Sequence, residues 1–520
     1  MKQRKHPVAI IGGGPVGMAA AAHLTERDIP FILFESGNTI GANLTDWGHV
    51  QVFTPWKYNI DKAAERLLDE VDWKKPSGEV LPTGSEIVRD YLVPLSLHPR
   101  IKPFIHLSSK VISITRKGMN KMKTNGREKL PFIVKVESNG DTQLFEASGV
   151  IDTSGTWNTP NPIGAGGIPA TGEEKHADRI AYRIPDILGK DKERYANKSV
   201  LVVGGGHSAI NSLLDLAALK EEQPETRLHW VLRDNDLAKV YGGQQDDELE
   251  ARGALGIRIE RLVKSGQLDI YTSFYIHEVI EEDGMLTIKG YSENSGDRIA
   301  AIDEIIANTG ARPDLSILRE VRVQTDPALE CVPALAELID PNIHSCGTVR
   351  PHGEEELRQP EPDFYIAGVK SYGRAPTFLM ATGYEQVRSI SAWLAGDVEA
   401  AKRVELDLPE TGVCSTDNTG GSACCGPALP EEKEEKTSNQ GTCCTPQIDK
   451  SNTEIMEQES QVSETSTTAS SGCCGGEPVS NEEACCKLDE EKKAAGESGC
   501  GCGSEATTEP QTAVQTSSCC

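Results

Sequence analysis

Twice in this chain a short apolar strand runs directly into a glycine-rich turn and then into a helix, and that repeated unit constrains the fold more than any other feature. Val8–Ile11 is a β-branched strand, followed at once by Gly12-Gly13-Gly14-Pro15-Val16-Gly17 and an Ala-rich helix. A second apolar strand, Phe31–Phe34, ends in Glu35. Each glycine has a separate task in such a turn. Gly12 allows the tight bend, Gly14 lets the backbone approach a pyrophosphate, and Gly17 lets helix and strand pack closely. The helix N-terminus, with Pro15 at its head, then faces the phosphates, and Glu35 is placed to accept from a ribose hydroxyl. The unit predicts a dinucleotide site.

The second unit begins with the strand Ser199–Val203, and Gly204-Gly205-Gly206-His207-Ser208-Ala209 opens the next helix. Ala209 is the third small residue and still permits close packing. The following strand, His229–Leu232, ends at Arg233 rather than at an acid. An arginine there favours a 2′-phosphate, hence NADPH over NADH. His207 is placed either to touch a nicotinamide or phosphate or to serve as a cap-region side chain. Two dinucleotide folds in one chain imply electron flow between two nucleotides. One of them is normally a flavin, because a nicotinamide pair would need a carrier.

The 520 residues carry a formal charge of −26. That balance opposes a nucleic-acid binder, whose phosphate contacts need clustered positive charge, and it opposes an anionic-membrane sensor. No run reaches the roughly 18 apolar residues of a membrane span, and the glycines in the first apolar stretch argue against a signal peptide. Of 15 cysteines, 13 lie after residue 410, and from Glu410 to Cys520, 20 acidic residues face 6 basic ones with no aromatic, His or Arg. Such a segment reads as disordered. The body keeps only Cys331 and Cys346, so the expectation is a protein of a reducing cytoplasm rather than a disulfide-stapled secreted scaffold.

Further motifs carry a family resemblance. They are VIDTSGTW (Val150–Trp157), IIANTGARPD (Ile305–Asp314), DFYIAGV (Asp363–Val369) and the helix opened by Gly383–Gln386. With the two glycine-rich units, residues 6–400 resemble the two-dinucleotide-binding-domain flavoproteins: flavin-containing monooxygenases, thioredoxin reductases and their relatives. The resemblance implies an α/β fold of two Rossmann-like domains, with the NADPH domain inserted in a split FAD domain. The expected segments are 1–160 and 305–400 for FAD, 161–304 for NADPH, and 401–520 for a disordered Cys-rich tail. It places Gly155, Gly310, Gly368 and Gln386 at the cofactors, with Val369 standing where an Asp is common. Pro82–Leu95 looks like a helix of monooxygenase-type members. Residues 170–182 match the monooxygenase fingerprint at Gly172 and His176 but depart from it at Ala170 and Ile180. A homodimer is compatible with the family.

In such enzymes reduced flavin either activates molecular oxygen or passes electrons to a thiol pair. Disulfide reductases of the superfamily usually carry C-x₂-C or C-x₄-C, and none occurs in the first 330 residues. Monooxygenase-like chemistry therefore leads. Cys331 and Cys346 form the candidate catalytic pair of the alternative, an NADPH-dependent reductase of a disulfide or a thiol-bound metal; Arg350 and His352 nearby would lower a thiol pKa. The bland reading of Cys331 is simple burial. Trp47, His49 and Trp56 are candidates to wall the flavin pocket, and Lys370, Tyr372 and Arg374 to line a substrate entrance.

The tail holds Cys414, then Cys424-Cys425, Cys443-Cys444, Cys473-Cys474, Cys485-Cys486, Cys500-x-Cys502 and Cys519-Cys520. Zinc and iron–sulfur sites usually use separated C-x₂-C pairs, whereas adjacent thiols suit soft ions such as trivalent arsenic, mercury or Cu(I). These pairs look like those of arsenic metallochaperones and of the mercuric reductase C-terminus. The expectation is an FAD- and NADPH-dependent enzyme of metalloid detoxification that oxidises trivalent arsenic or a related thiophilic compound, with the tail raising local substrate concentration. General amine or sulfide oxygenation and plain metal sequestration by a retained flavoprotein fold stay open.

Overall fold

The computed structural model describes residues 5–247, 249–292, 296–342, 349–376 and 378–406. Cys346 and every tail cysteine from Cys414 to Cys520 lie outside the described residues.

Strand β1 (Val8–Ile11) is buried throughout and feeds α1 (Pro15–Glu26), whose Ala19–Ala22 are all buried. Methyl side chains there let the helix lie close on the sheet. β2 (Phe31–Phe34) follows, and after a helical excursion β3 (Ile105–His106) joins the same sheet. An antiparallel meander of β4 (Ser109–Arg116), β5 (Phe132–Ser138) and β6 (Asp141–Ala147) precedes β7 (Gly149–Asp152). The chain then builds β8 (Ile180–Tyr182), β9 (Ser199–Val203), α2 (His207–Glu222), β10 (Arg227–Val231), α3 (Glu250–Lys264) and β11 (Leu268–Tyr271). A second antiparallel ribbon, β12 (Phe274–Glu282), β13 (Met285–Ser292) and β14 (Arg298–Ile302), leads to β15 (Glu304–Ala307). β16 (Phe364–Ile366) and α4 (Met380–Ala395) come last.

Two parallel sheets result. The first has order β16-β7-β1-β2-β3 and the second β11-β10-β9-β15-β8. Their central strands are apolar without alternation because helices and ribbons cover both faces. Late in the chain, β16 returns to the first sheet and pairs with β7, Tyr365 opposite Ile151, while α4 packs along α1. Glu304–Ala307 pairs with β9 inside the second sheet, so the chain leaves that sheet after Ala307 rather than after residue 304. The two crossings run side by side: Asn161 N–H donates to Gly310 O at 2.9 Å and Arg312 N–H to Thr159 O at 3.0 Å.

The returning segment is fastened by a buried carboxylate. Glu361, fully buried, accepts from Arg116 Nε at 2.7 Å and from Arg127 Nε at 2.9 Å. Both guanidiniums are themselves buried, and they bond onward to backbone carbonyls, Arg116 to Leu130 and Pro362 and Arg127 to Asn120 and Glu320. No helix among the described residues is long and apolar enough to cross a membrane.

Candidate active site: two open glycine turns and a buried ion pair

Gly12 sits at φ +98°, a left-handed conformation that glycine alone adopts freely. A Cβ on Gly17 would collide with the Gly12 carbonyl oxygen, so the first turn of α1 lies directly on the end of β1. Gly14 differs: no atom lies within 4 Å of where its Cβ would stand, and no side chain caps α1. The first N–H groups of α1 therefore face open space, the arrangement that receives a pyrophosphate. Glu35 is buried and holds this loop. Its Oε2 accepts from Gly13 N–H and its Oε1 from Gly37 N–H, both at 2.6 Å. Oε1 also accepts from Ser36 Oγ–H at 3.3 Å, so Oε2 is the oxygen that retains a lone pair for a ribose hydroxyl.

The second turn repeats this design. Gly204 has φ +125°, its Cβ position blocked by Asn308 O, while Gly206 has nothing within 4 Å and α2 has no side-chain cap. Trp230 Nε1–H donates to Gly204 O at 2.8 Å, a clasp with no sequence signature. Ala209 is fully buried behind Ser208, and exposed His207 begins α2 with its ring 5.5 Å from Phe53 of the first unit. Arg233 stands exposed just past β10, at the place a 2′-phosphate reader would occupy. Both cradles fit dinucleotides: two helix N-termini, uncapped, with space where a side chain would intrude.

Beside the first turn lies a polar cluster that the sequence reading did not assemble. Asp152, at the end of β7, is fully buried and sits opposite Ile11 in register. Its Oδ2 accepts from Lys370 Nζ at 2.7 Å, and its Oδ1 from Ser154 Oγ–H at 2.7 Å. Lys370 Nζ also donates to Ser154 Oγ at 3.0 Å. Next to it, Gln386 Oε1 accepts from Gly368 N–H at 2.7 Å, and its amide nitrogen reaches Ser371 Oγ and His352 Nε2, each at 2.9 Å. Gln386 is fully buried; it shapes the Gly368 loop rather than facing a cofactor. Burial holds the His352 imidazole below its ordinary pKa. Gly155, Gly310 and Gly368 all have positive φ, at 72°, 81° and 72°, which explains glycine at each.

Several expected roles change. Lys370 and Tyr372 are each 2% exposed, so they do not line an entrance; only Arg374 of that trio is exposed. Cys331 is fully buried, and burial pushes its thiol up to about 12, with Asp326 adding to the shift. A thiol so placed is a poor nucleophile at neutral pH, so the catalytic assignment of Cys331 gives way to the structural one. Trp56 is buried core, while Trp47 faces Trp157 at 6.4 Å. Trp157 also stacks under Arg183 at 4.4 Å and donates to Asp46 at 2.9 Å, bringing the first unit and the second together. Gly172 is needed because a Cβ there would strike Val279 O of β12; His176 beside it is buried. Among the described residues no group of His, Cys, Asp and Glu is placed to hold a metal ion.

The comparisons agree with this architecture. The profile of the pyridine nucleotide-disulphide oxidoreductase family matches residues 9–339. A ferredoxin–NADP reductase of Exiguobacterium sibiricum is 22% identical over 358 residues, 68% of this chain and 83% of the relative. A ferredoxin–NADP reductase of Lactiplantibacillus plantarum is 24% identical over 329 residues, 61% of this chain and 77% of the relative. In fold, the chain is similar to the bacillithiol disulfide reductase of Bacillus cereus (TM-score 0.56, 19% identity, 76% of this chain and 99% of that one). It is also similar to an FAD-bound cadaverine monooxygenase of Erwinia amylovora (TM-score 0.52, 12% identity, 81% of this chain and 100% of that one). With its two open glycine cradles and this match, the chain belongs to the pyridine nucleotide-disulphide oxidoreductase family, as an oxidoreductase of FAD and NADPH.

Proposed function

We propose that this enzyme delivers electrons from NADPH through FAD straight to a bound substrate or to oxygen, without a protein dithiol relay. The observation that carries this reading is the lack of any C-x₂-C or C-x₄-C pair in the first 330 residues, together with the burial of Cys331. When bound, FAD supplies the two-electron chemistry between NADPH and the acceptor. The chain's own residues bind and orient. The N–H groups at the heads of α1 and α2 take the two pyrophosphates, Arg233 reads the NADPH 2′-phosphate, and Glu35 fixes the first loop.

Monooxygenase-like oxidation of a thiophilic compound, trivalent arsenic foremost, is the finer reading. Its support is the run of vicinal cysteines after residue 410, a composition suited to soft ions and to a reducing cytoplasm. In this reading Cys424, Cys425, Cys443, Cys444, Cys473, Cys474, Cys485, Cys486, Cys500, Cys502, Cys519 and Cys520 collect the ion. A second reading is reduction of a diffusible acceptor without oxygen. The relatives named ferredoxin–NADP reductase favour it.

One assay separates them. NADPH and oxygen are followed together while trivalent arsenicals, mercuric ion or a small disulfide are added. Arsenical-stimulated oxygen uptake with pentavalent product supports oxygenation. Substrate-dependent NADPH loss that persists anaerobically overturns it in favour of reduction. Removing residues after 410 raises the apparent KM for the arsenical if the tail captures substrate, and leaves it unchanged if it does not.

A further inference from the structure

The Asp152–Lys370 pair is unusual for its place. Both side chains are buried, 0% and 1% exposed, and 218 positions separate them in sequence. Asp152 adjoins the first glycine turn. Thr153, the next residue, donates its hydroxyl to Ile11 O at 2.8 Å, and Ser154 Cα lies 2.9 Å from where a Gly12 Cβ would stand. On the other side, a Cβ added at Gly368 would stand 3.4 Å from Val16 at the head of α1. A buried carboxylate is thus held beside the helix end that receives a dianionic pyrophosphate. Left unpaired, it would repel that group, because charges in a poorly solvated site interact strongly.

We propose that Lys370 is a positioning residue for FAD: its ammonium neutralises Asp152 beside the pyrophosphate cradle, so that the buried carboxylate does not repel the cofactor. The inference rests on the flavin assignment alone and is independent of which substrate is oxidised.

The test is FAD affinity of the full chain, stripped of flavin and titrated by quenching of FAD fluorescence, with circular dichroism reporting folding. Lys370→Met leaves Asp152 uncompensated and is expected to raise the FAD Kd by about tenfold or more. Asp152→Asn leaves a cation near the pyrophosphate, so its Kd should stay the same or fall. The double variant removes both charges and should return to within about threefold of the wild type. A purely structural role for Lys370 would not be rescued in this way. The proposal is overturned if Lys370→Met binds FAD normally, or if the double variant remains as weak as Lys370→Met. Should Lys370→Met fail to fold, Asp152→Asn decides: a Kd raised more than about threefold overturns the proposal, and an unchanged or lower Kd supports it.

Discussion

At the scale of single residues, the glycines of the first turn do different work although they read alike. Gly17 is a packing glycine and Gly14 an access glycine. Gly17→Ala must force α1 off the turn and should cost about 3 kcal/mol, read as a lowered melting temperature of the apoprotein. Gly14→Ala meets no atom and has an ordinary φ of −77°. It should leave the apoprotein as stable as the wild type while sharply weakening FAD. Equal destabilisation by both would contradict this division. On the nicotinamide side, Arg233→Ala should raise KM for NADPH about tenfold while barely altering that for NADH. Steady-state kinetics with both cofactors checks this. The glycine turns were legible in the sequence because local spacing fixes them. The fate of Cys331 was not, since nothing beside it in the chain reveals that the β16 loop buries it.

At the scale of elements, the returning strand β16 depends on contacts that no local pattern encodes. Glu361 joins Arg116, 245 positions away, and Arg127, 234 positions away. Burial pushes the Glu361 carboxyl up, but the hydrogen bonds from Arg127 and Arg116 outweigh it and hold the group below its ordinary value. Glu361→Ala strands two buried guanidiniums and should cost about 3–5 kcal/mol. Acid has a defined sign here. A carboxyl with a lowered folded pKa contributes stability above the ordinary carboxylate range and loses it as pH falls through the folded value. The melting-temperature gap between wild type and Glu361→Gln should therefore be widest near neutrality and shrink on acidification. A gap that grows in acid would contradict the assignment. The same distance in sequence hides Asp152–Lys370: position 370 suggests an entrance residue, but the loop after β16 carries it inward.

At the scale of the whole molecule, the two parallel sheets and the return of the chain to the first were readable from two turns, two crossings and a final strand. The expected boundary at 304/305 falls inside the second sheet, because β15, which lies between β9 and β8, is apolar on either assignment. Of the two body cysteines, Cys331 is buried and Cys346 lies outside the described residues. The most direct measurement follows from this. The full-length wild type and a Cys331→Ala/Cys346→Ala variant are compared under anaerobic mixing with NADPH and then with acceptor, following the visible absorbance of the flavin. The account predicts that the flavin bleaches and recovers at the same rates in both proteins. A variant whose flavin is reduced by NADPH but no longer reoxidised by its acceptor would contradict it and place a dithiol on the electron path.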